Sequence, residues 1–197
     1  MTRILLIRHG STDLIGRVLY GRMPGVHLNA EGEAQARKLG TGLSRDYTID
    51  LLISSPLERA LETARPIAQA IGREIQVDEK ISEIDVGDWL GQSFEELATR
   101  PEWKGFNQQR ALSWAPGGET MMEVQNRAWR CVSRYISEEK SEVIAFVTHG
   151  DVIRCLLLLV LGISIDHIHR LEVSPGSVTE VVIGERHPVL RRMNYSY

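Results

Sequence analysis

Two apolar runs that each end in a His-Gly pair constrain this chain more than any other feature. Ile4-Leu5-Leu6-Ile7 leads into Arg8-His9-Gly10, and Val143-Ile144-Ala145-Phe146-Val147 leads into Thr148-His149-Gly150. Neither run alternates apolar with polar, so each reads as a strand buried on both faces, the habit of a parallel sheet covered by helices. A third apolar run, over 50–54, ends at Ser55-Pro56. Three strands thereby deliver polar residues at their exits. In an open α/β sheet, the crevice outside the carboxyl ends of the strands is where ligands bind.

Helix signals fill the spaces between these strands. Asn29 can cap a helix through about 43, and Thr120 with Glu123 forms a capping box. Ser55-Pro56-Leu57-Glu58 presents a cap, a first-turn proline and a capping-box acid for a helix to about 71. Asp151 opens an apolar helix that ends near Gly162. The alternation predicts an α/β fold: a three-layer α/β/α sandwich with a mostly parallel central sheet and one antiparallel edge strand. Residues 168–173, 177–183 and 189–192 read as shorter strands that finish the sheet. A length of 197 residues is expected to form a single domain over 1–197. Residues 84–120 carry Trp89, Trp103, Trp114 and Phe106 with Pro101, Pro116 and Gly117-Gly118, and read as a lid-like excursion over the crevice. The aromatic side chains there are expected to pack the core and lid more than to touch a ligand.

Several functions are disfavoured by the residues. The net charge of -3, from 23 basic and 26 acidic residues, gives no overall field for a nucleic-acid partner, so any phosphate must be held locally. Cys131 and Cys155 are not in a Cys-x-x-Cys pair, which argues against a disulfide framework or a zinc site. His167 and His169 would share one face of a strand, yet no acidic or cysteine cluster joins them; no metal and no cofactor are expected. The segment 16–23 lacks the Lys-Ser/Thr of a phosphate-binding loop, and Gly40-Thr41-Gly42 lacks a third glycine. The first apolar run is too short for a signal-peptide core, and the run near Leu156 is well short of the ~20 residues that span a bilayer. A cytoplasmic protein without membrane contact is expected, as monomer or homodimer.

A phosphate monoester resists attack because its dianion repels nucleophiles and its alkoxide leaves poorly, so a catalyst must neutralise charge and supply a proton. A guanidinium fork matches two phosphate oxygens, and imidazole is a nucleophile near neutral pH. Arg8-His9 supplies both side by side, and Arg59 lies in the first turn after Ser55-Pro56, where helix amides favour an anion. Glu83, before the turn at Gly87, is placed to donate a proton, with Asp85 and Asp88 as alternatives. Ser11 and Thr12 could donate to phosphate, and Arg22, after Gly21, could meet a second anionic group.

Together, Leu6-Ile7-Arg8-His9-Gly10, Ser54-Ser55-Pro56-Leu57-Glu58-Arg59-Ala60, Glu83 with Gly87-Asp88-Trp89, and Thr148-His149-Gly150 resemble the histidine phosphatase superfamily, in its order. Leu28-Asn29 with Gly32, Gln35 and Ala36, Gly118-Glu119-Thr120 with Arg127, and Val152-Ile153-Arg154 extend the resemblance along nearly the whole chain. It implies that His9 takes the phosphoryl group, that Arg8, Arg59 and His149 hold its oxygens, and that Glu83 protonates the leaving oxygen and later activates water. The chain departs from the family pattern at Ser11 (commonly Glu), Ile15 (commonly Asn), Tyr20-Gly21 and Trp89-Leu90-Gly91. The expected function is metal-independent hydrolysis of a small phosphate ester. The alternatives are phosphoglycerate mutase-type transfer, for which the stretch between Glu83 and His149 is short, and phospho-ligand binding with little turnover.

Overall fold

The computed structural model describes residues 1–138, 142–185 and 187–197. Along the chain, β1 (Thr2–Arg8) is followed by α1 (Ala30–Asp46), β2 (Leu51–Ser54), α2 (Glu58–Ile71) and β3 (Ile75–Val77). The two short helices α3 (Phe94–Ala98) and α4 (Pro101–Gln108) come next. Then come α5 (Met121–Glu138), β4 (Val143–Thr148), α6 (Gly150–Leu161), β5 (Val178–Ile183) and β6 (Val189–Tyr195). The strands form one six-stranded sheet in the order β3-β2-β4-β1-β5-β6. β3, β2, β4 and β1 are parallel, and the antiparallel pairings lie toward the other edge, where β5 runs against β1 and β6.

The apolar runs of β1 and β4 are continuous because both faces of the sheet are covered. Leu5, Ile7, Ala145 and Val147 pack with Leu39 and Leu43 of α1 and with Ala60, Ala64 and Ile67 of α2. Their neighbours Ile4, Leu6, Ile144 and Phe146 face the other way, against Val124, Ala128 and Val132 of α5 and Val152 and Leu156 of α6. Alternate side chains of one strand thus enter two cores. The expected layers are present.

The Asn29 side chain accepts from the Gly32 N–H at 2.9 Å, and Thr120 and Glu123 close their capping box at 2.8 and 3.1 Å between backbone and side chain. Two local expectations are corrected. α2 starts at Glu58, with Leu57 in the capping position and no side-chain cap, because the Ser55 N–H still bonds to the sheet at the Val147 carbonyl (3.0 Å). Residues Ile165–Arg170 wind into a 3-10 segment where a strand was expected over 168–173. Ile165 and Ile168 are both buried there, and their three-residue spacing meets one face only when the backbone turns once per three residues.

Candidate active site

Parallel register brings three strand exits together. Arg8, the last residue of β1, pairs with Thr148 of β4, and Ser54 of β2 pairs with Val147. One residue further on, the His9 N–H donates to the Thr148 carbonyl at 2.9 Å, and His149 occupies the capping position of α6. The two imidazoles stand 5.2 Å apart, centroid to centroid, and both are buried. Gly10 and Gly32 allow this loop to lie against the start of α1, since a Cβ on Gly10 would come within 2.6 Å of the Gly32 carbonyl.

Hydrogen bonds orient each group. His9 Nδ1 is 2.7 Å from the Gly10 carbonyl, which places the proton on Nδ1 and leaves Nε2 as a hydrogen-bond acceptor. Arg59 Nε approaches that Nε2 at 3.3 Å, and Arg59 Nη2 donates to the Gly21 carbonyl at 2.6 Å. Gly21 has φ +35, a left-handed backbone that turns its carbonyl to this task. The Arg59 guanidinium also lies 4.8 Å above the Tyr20 ring. Thr63 accepts from the Gly10 N–H at 3.0 Å and donates to the Arg59 carbonyl at 2.7 Å, so it ties α2 to the loop after β1. His149 Nε2 pairs with Ser55 Oγ at 2.7 Å, and Arg8 Nη1 donates to the Val173 carbonyl at 2.5 Å.

Arg8 Nε, Arg59 Nη1 and His149 Nδ1 are buried without a partner, as is Thr12 Oγ1. Leaving such groups unpaired costs about 1–3 kcal/mol each, so a gathering of them around His9 suits an anion with several acceptor oxygens. Burial, then the Arg59 and Arg8 charges, hold the His9 imidazole well below its ordinary range; burial, Arg59 and His9 do the same to His149. Burial also depresses Arg59. Glu83 moves oppositely: burial and the Asp151 charge push its carboxyl up to about 7, against the pull of the Ile84 N–H bonded to it at 3.0 Å.

Beyond Arg8, Glu83 and Gly21 opens a cavity of about 240 Å³. Ile15, Leu19, Phe94, Trp103 and Phe106 line its apolar side, and Arg110, Asp151, Arg154 and His169 its polar end. Residues 84–120 supply much of this wall, held to the loop after β1 by Leu19 N–H to Gln92 carbonyl (2.9 Å) and Phe94 N–H to Arg17 carbonyl (3.1 Å). Trp89 is buried core with Trp103 and Phe106 edge-on or tilted around it, whereas Trp114 is 60% exposed and does not line the cavity.

The sequence-predicted residues therefore fall into two groups. Arg8, His9, Arg59 and His149 come together, and Glu83 shares the cavity with Arg8. Ser11 and Thr12 are buried just after His9, and Ser11 is engaged by Gln35, which accepts from the Ser11 N–H at 2.9 Å. Arg22 does not line the cavity: it ion-pairs with Glu119 at 2.7 Å and donates to the Glu83 carbonyl at 2.8 Å, bracing Glu83 from behind. The sequence alone does not point to Ser55, Thr63 or Arg110 as site residues. Ser55 carried a signal, but its local reading was a helix cap, while its actual partner is 94 residues away. Among the described residues no group of three or more His, Cys, Asp or Glu gathers as a metal site would require, and no helix is long and apolar enough to cross a membrane.

Comparison with known proteins identifies the family and the fold. The profile of the histidine phosphatase superfamily (branch 1) matches residues 4–196. A bifunctional protein of Mycobacterium tuberculosis (strain ATCC 25618 / H37Rv) is 34% identical over 179 residues, 90% of this chain; the chain spans about half (49%) of that relative's length. A mycobacterial glucosyl-3-phosphoglycerate phosphatase in complex with VO3 superposes with a TM-score of 0.90 at 25% identity, covering 100% of both chains. A variant phosphoserine phosphatase from Entamoeba histolytica, in complex with phosphoserine, superposes with a TM-score of 0.88 at 27% identity, covering 98% of this chain and 97% of that one.

Proposed function

This chain belongs to the histidine phosphatase superfamily, and on that premise we propose that it hydrolyses a small phosphate ester through a phosphohistidine on His9, without a metal ion. The observation that carries this reading is the His9 imidazole itself. Its Nδ1 is tied to the Gly10 carbonyl, its Nε2 is unprotonated, and Arg8 and Arg59 stand beside it with unpaired N–H groups. His9 Nε2 attacks phosphorus, the P–O ester bond breaks, and the leaving oxygen takes a proton from the Glu83 carboxylic acid. Charge building on the phosphoryl oxygens is met by Arg8, Arg59 and His149. Water then attacks the phosphohistidine while Glu83, now a carboxylate, takes its proton; phosphate leaves and His9 and Glu83 return to their starting states. Ser55 is a positioning residue, orienting His149, and Arg22 and Arg127 position Glu83 through its carbonyl. The wall from 84–120 acts as the lid-like element that selects the ester.

The test is release of phosphate from para-nitrophenyl phosphate in excess chelator by the wild type and by His9→Ala. Turnover by the wild type alone supports the mechanism; loss of turnover in chelator, or full turnover by His9→Ala, refutes it. Conversion of phosphoglycerate isomers dependent on a bisphosphoglycerate primer, with little free phosphate, would instead make the protein a mutase. Tight calorimetric binding of phosphate esters with no released phosphate would make it a binding protein.

A further inference from the structure

Glu119, just before α5, stands where three distant segments of the chain meet: the loop after β1, the stretch after β3 and the first turns of α5. Its Oε2 accepts from Arg22 Nη2 at 2.7 Å, from Arg127 Nη2 at 3.0 Å and from the Asp85 N–H at 3.0 Å, and its Oε1 accepts from Arg127 Nε at 2.8 Å. Its own N–H donates to the Asp85 carbonyl at 2.9 Å, so residues 85 and 119 are tied in both directions. Burial pushes the Glu119 carboxyl up, but the hydrogen bonds from Arg127 and Asp85 and the charges of Arg127 and Arg22 outweigh it. They hold the carboxyl below its ordinary range, so it is ionised at neutral pH.

The two guanidiniums held in this way end on one atom. Arg22 Nε donates to the Glu83 carbonyl at 2.8 Å, and Arg127 Nη2 donates to the same oxygen at 3.1 Å. Two cations converging on a neutral carbonyl repel each other, and among the described residues neither has a carboxylate other than Glu119 within ion-pair distance. The backbone around them leaves no slack: a Cβ on Gly118 would lie 2.5 Å from the Asp85 carbonyl, and one on Gly87 2.1 Å from the Pro116 carbonyl. The Glu83 carboxyl, by contrast, has one hydrogen bond among the described residues, from the adjacent Ile84 N–H, which moves with it. Its place in the cavity is therefore set through its backbone.

We propose that Glu119 is a positioning residue for the proton donor: it holds Arg22 and Arg127 together on the Glu83 carbonyl, and that clamp fixes where the Glu83 carboxyl stands relative to His9. The proposal rests on the phosphatase reading, in which Glu83 delivers the proton to the leaving oxygen. A misplacement of about 1 Å is enough to cost ~10²-fold in such a transfer.

The experiment uses aryl phosphates of similar size whose leaving phenols differ in acidity, from para-nitrophenyl to para-tolyl phosphate. A proton donor matters most where the leaving oxygen is most basic. Glu119→Gln keeps an acceptor for the Asp85 N–H but loses the charge. It is expected to lower kcat/KM about tenfold or more for para-tolyl phosphate and less than about threefold for para-nitrophenyl phosphate. Adding it to Glu83→Gln should cost nothing further, because the group it positions is then gone. Where Glu119→Gln does not fold, Arg22→Met, at the more exposed of the two guanidiniums, should give the same dependence on the leaving group to a smaller degree. An equal loss along the series, as a merely structural residue would give, or full additivity with Glu83→Gln, overturns the proposal. Carbon NMR of isotope-labelled glutamate carboxyls reads the clamp without turnover. Glu83, pushed up to about 7 by burial and the Asp151 charge, should titrate lower in Glu119→Gln as its carboxyl leaves that environment. Glu119→Asp, which keeps the charge, should move it the same way by less; unchanged titration in Glu119→Gln refutes the clamp. If wild type hydrolyses none of the esters, the phosphatase reading fails, while the titration still decides whether Glu119 holds Glu83.

Discussion

The cradle around His9 and the wall around Arg110 meet at Arg8 and Glu83, yet they are built by opposite means. His9, Ser55 and His149 sit one position beyond strand exits and Arg8 at one, so backbone register places them: the His9 N–H bonds to Thr148 and the Ser55 N–H to Val147. The wall comes from short helices α3 and α4, held by aromatic contacts such as Trp89 to Trp103 at 5.4 Å and by a few loop hydrogen bonds. A sheet fixes positions to a fraction of an ångström across the whole fold, which suits chemistry. Side-chain packing on an excursion can be revised without disturbing the sheet, which suits selection.

If that division is right, damage to the cradle should be large and indifferent to substrate. Arg59→Met is expected to lower kcat/KM by roughly 10²–10³-fold for every phosphate ester, para-nitrophenyl phosphate included. A loss restricted to one ester, in a steady-state comparison, would move Arg59 into the wall. Glu83→Gln should cost about 10²-fold in kcat with esters of poor leaving groups, and it should change the pH profile. Glu83 must be protonated for the first step and its carboxyl is pushed up to about 7, so kcat/KM should fall as pH rises through that value. His9 is held well below its ordinary range, so it stays unprotonated across the neutral region and does not limit the rate there. Persistence of the alkaline limb in Glu83→Gln would assign the proton to another group.

Smaller effects sharpen the boundary between the regions. Gly32→Ala forces a Cβ against the Ser11 backbone, and chemical denaturation should register a loss of about 1–3 kcal/mol; an unchanged midpoint would mean that the nucleophile loop is not wedged against α1. Trp114→Ala, at an exposed position off the cavity, should stay within about 0.5 kcal/mol of wild type and leave the kinetics unaltered. A kinetic change there would extend the wall beyond the residues that now define it.

The same division explains what the sequence disclosed. β1 and β4 were legible because burial on both faces removes polar alternation, and His9 and His149 because the chemistry follows those strands directly. Ser55 was misread because capping is a local rule, while its hydroxyl is claimed by His149 across the site. Arg22 looks free beside Gly21 and is in fact bound to Glu119, 97 residues on; Arg110 gives no local signal at all, since its contacts with Met121 and His169 join residues distant in the sequence. Residues 168–173 read as a strand because a short apolar pattern cannot by itself separate a period of two from a period of three.

The central claim is that His9 carries the phosphoryl group. Rapid alkaline quench during turnover of para-nitrophenyl phosphate in chelator, followed by mass spectrometry of the peptide bearing residue 9, tests it most directly. The account predicts one phosphoryl group on His9, formed and lost at rates consistent with turnover, and none in His9→Ala. Phosphate release with His9 unmodified throughout, or the phosphoryl group on His149 instead, would contradict it.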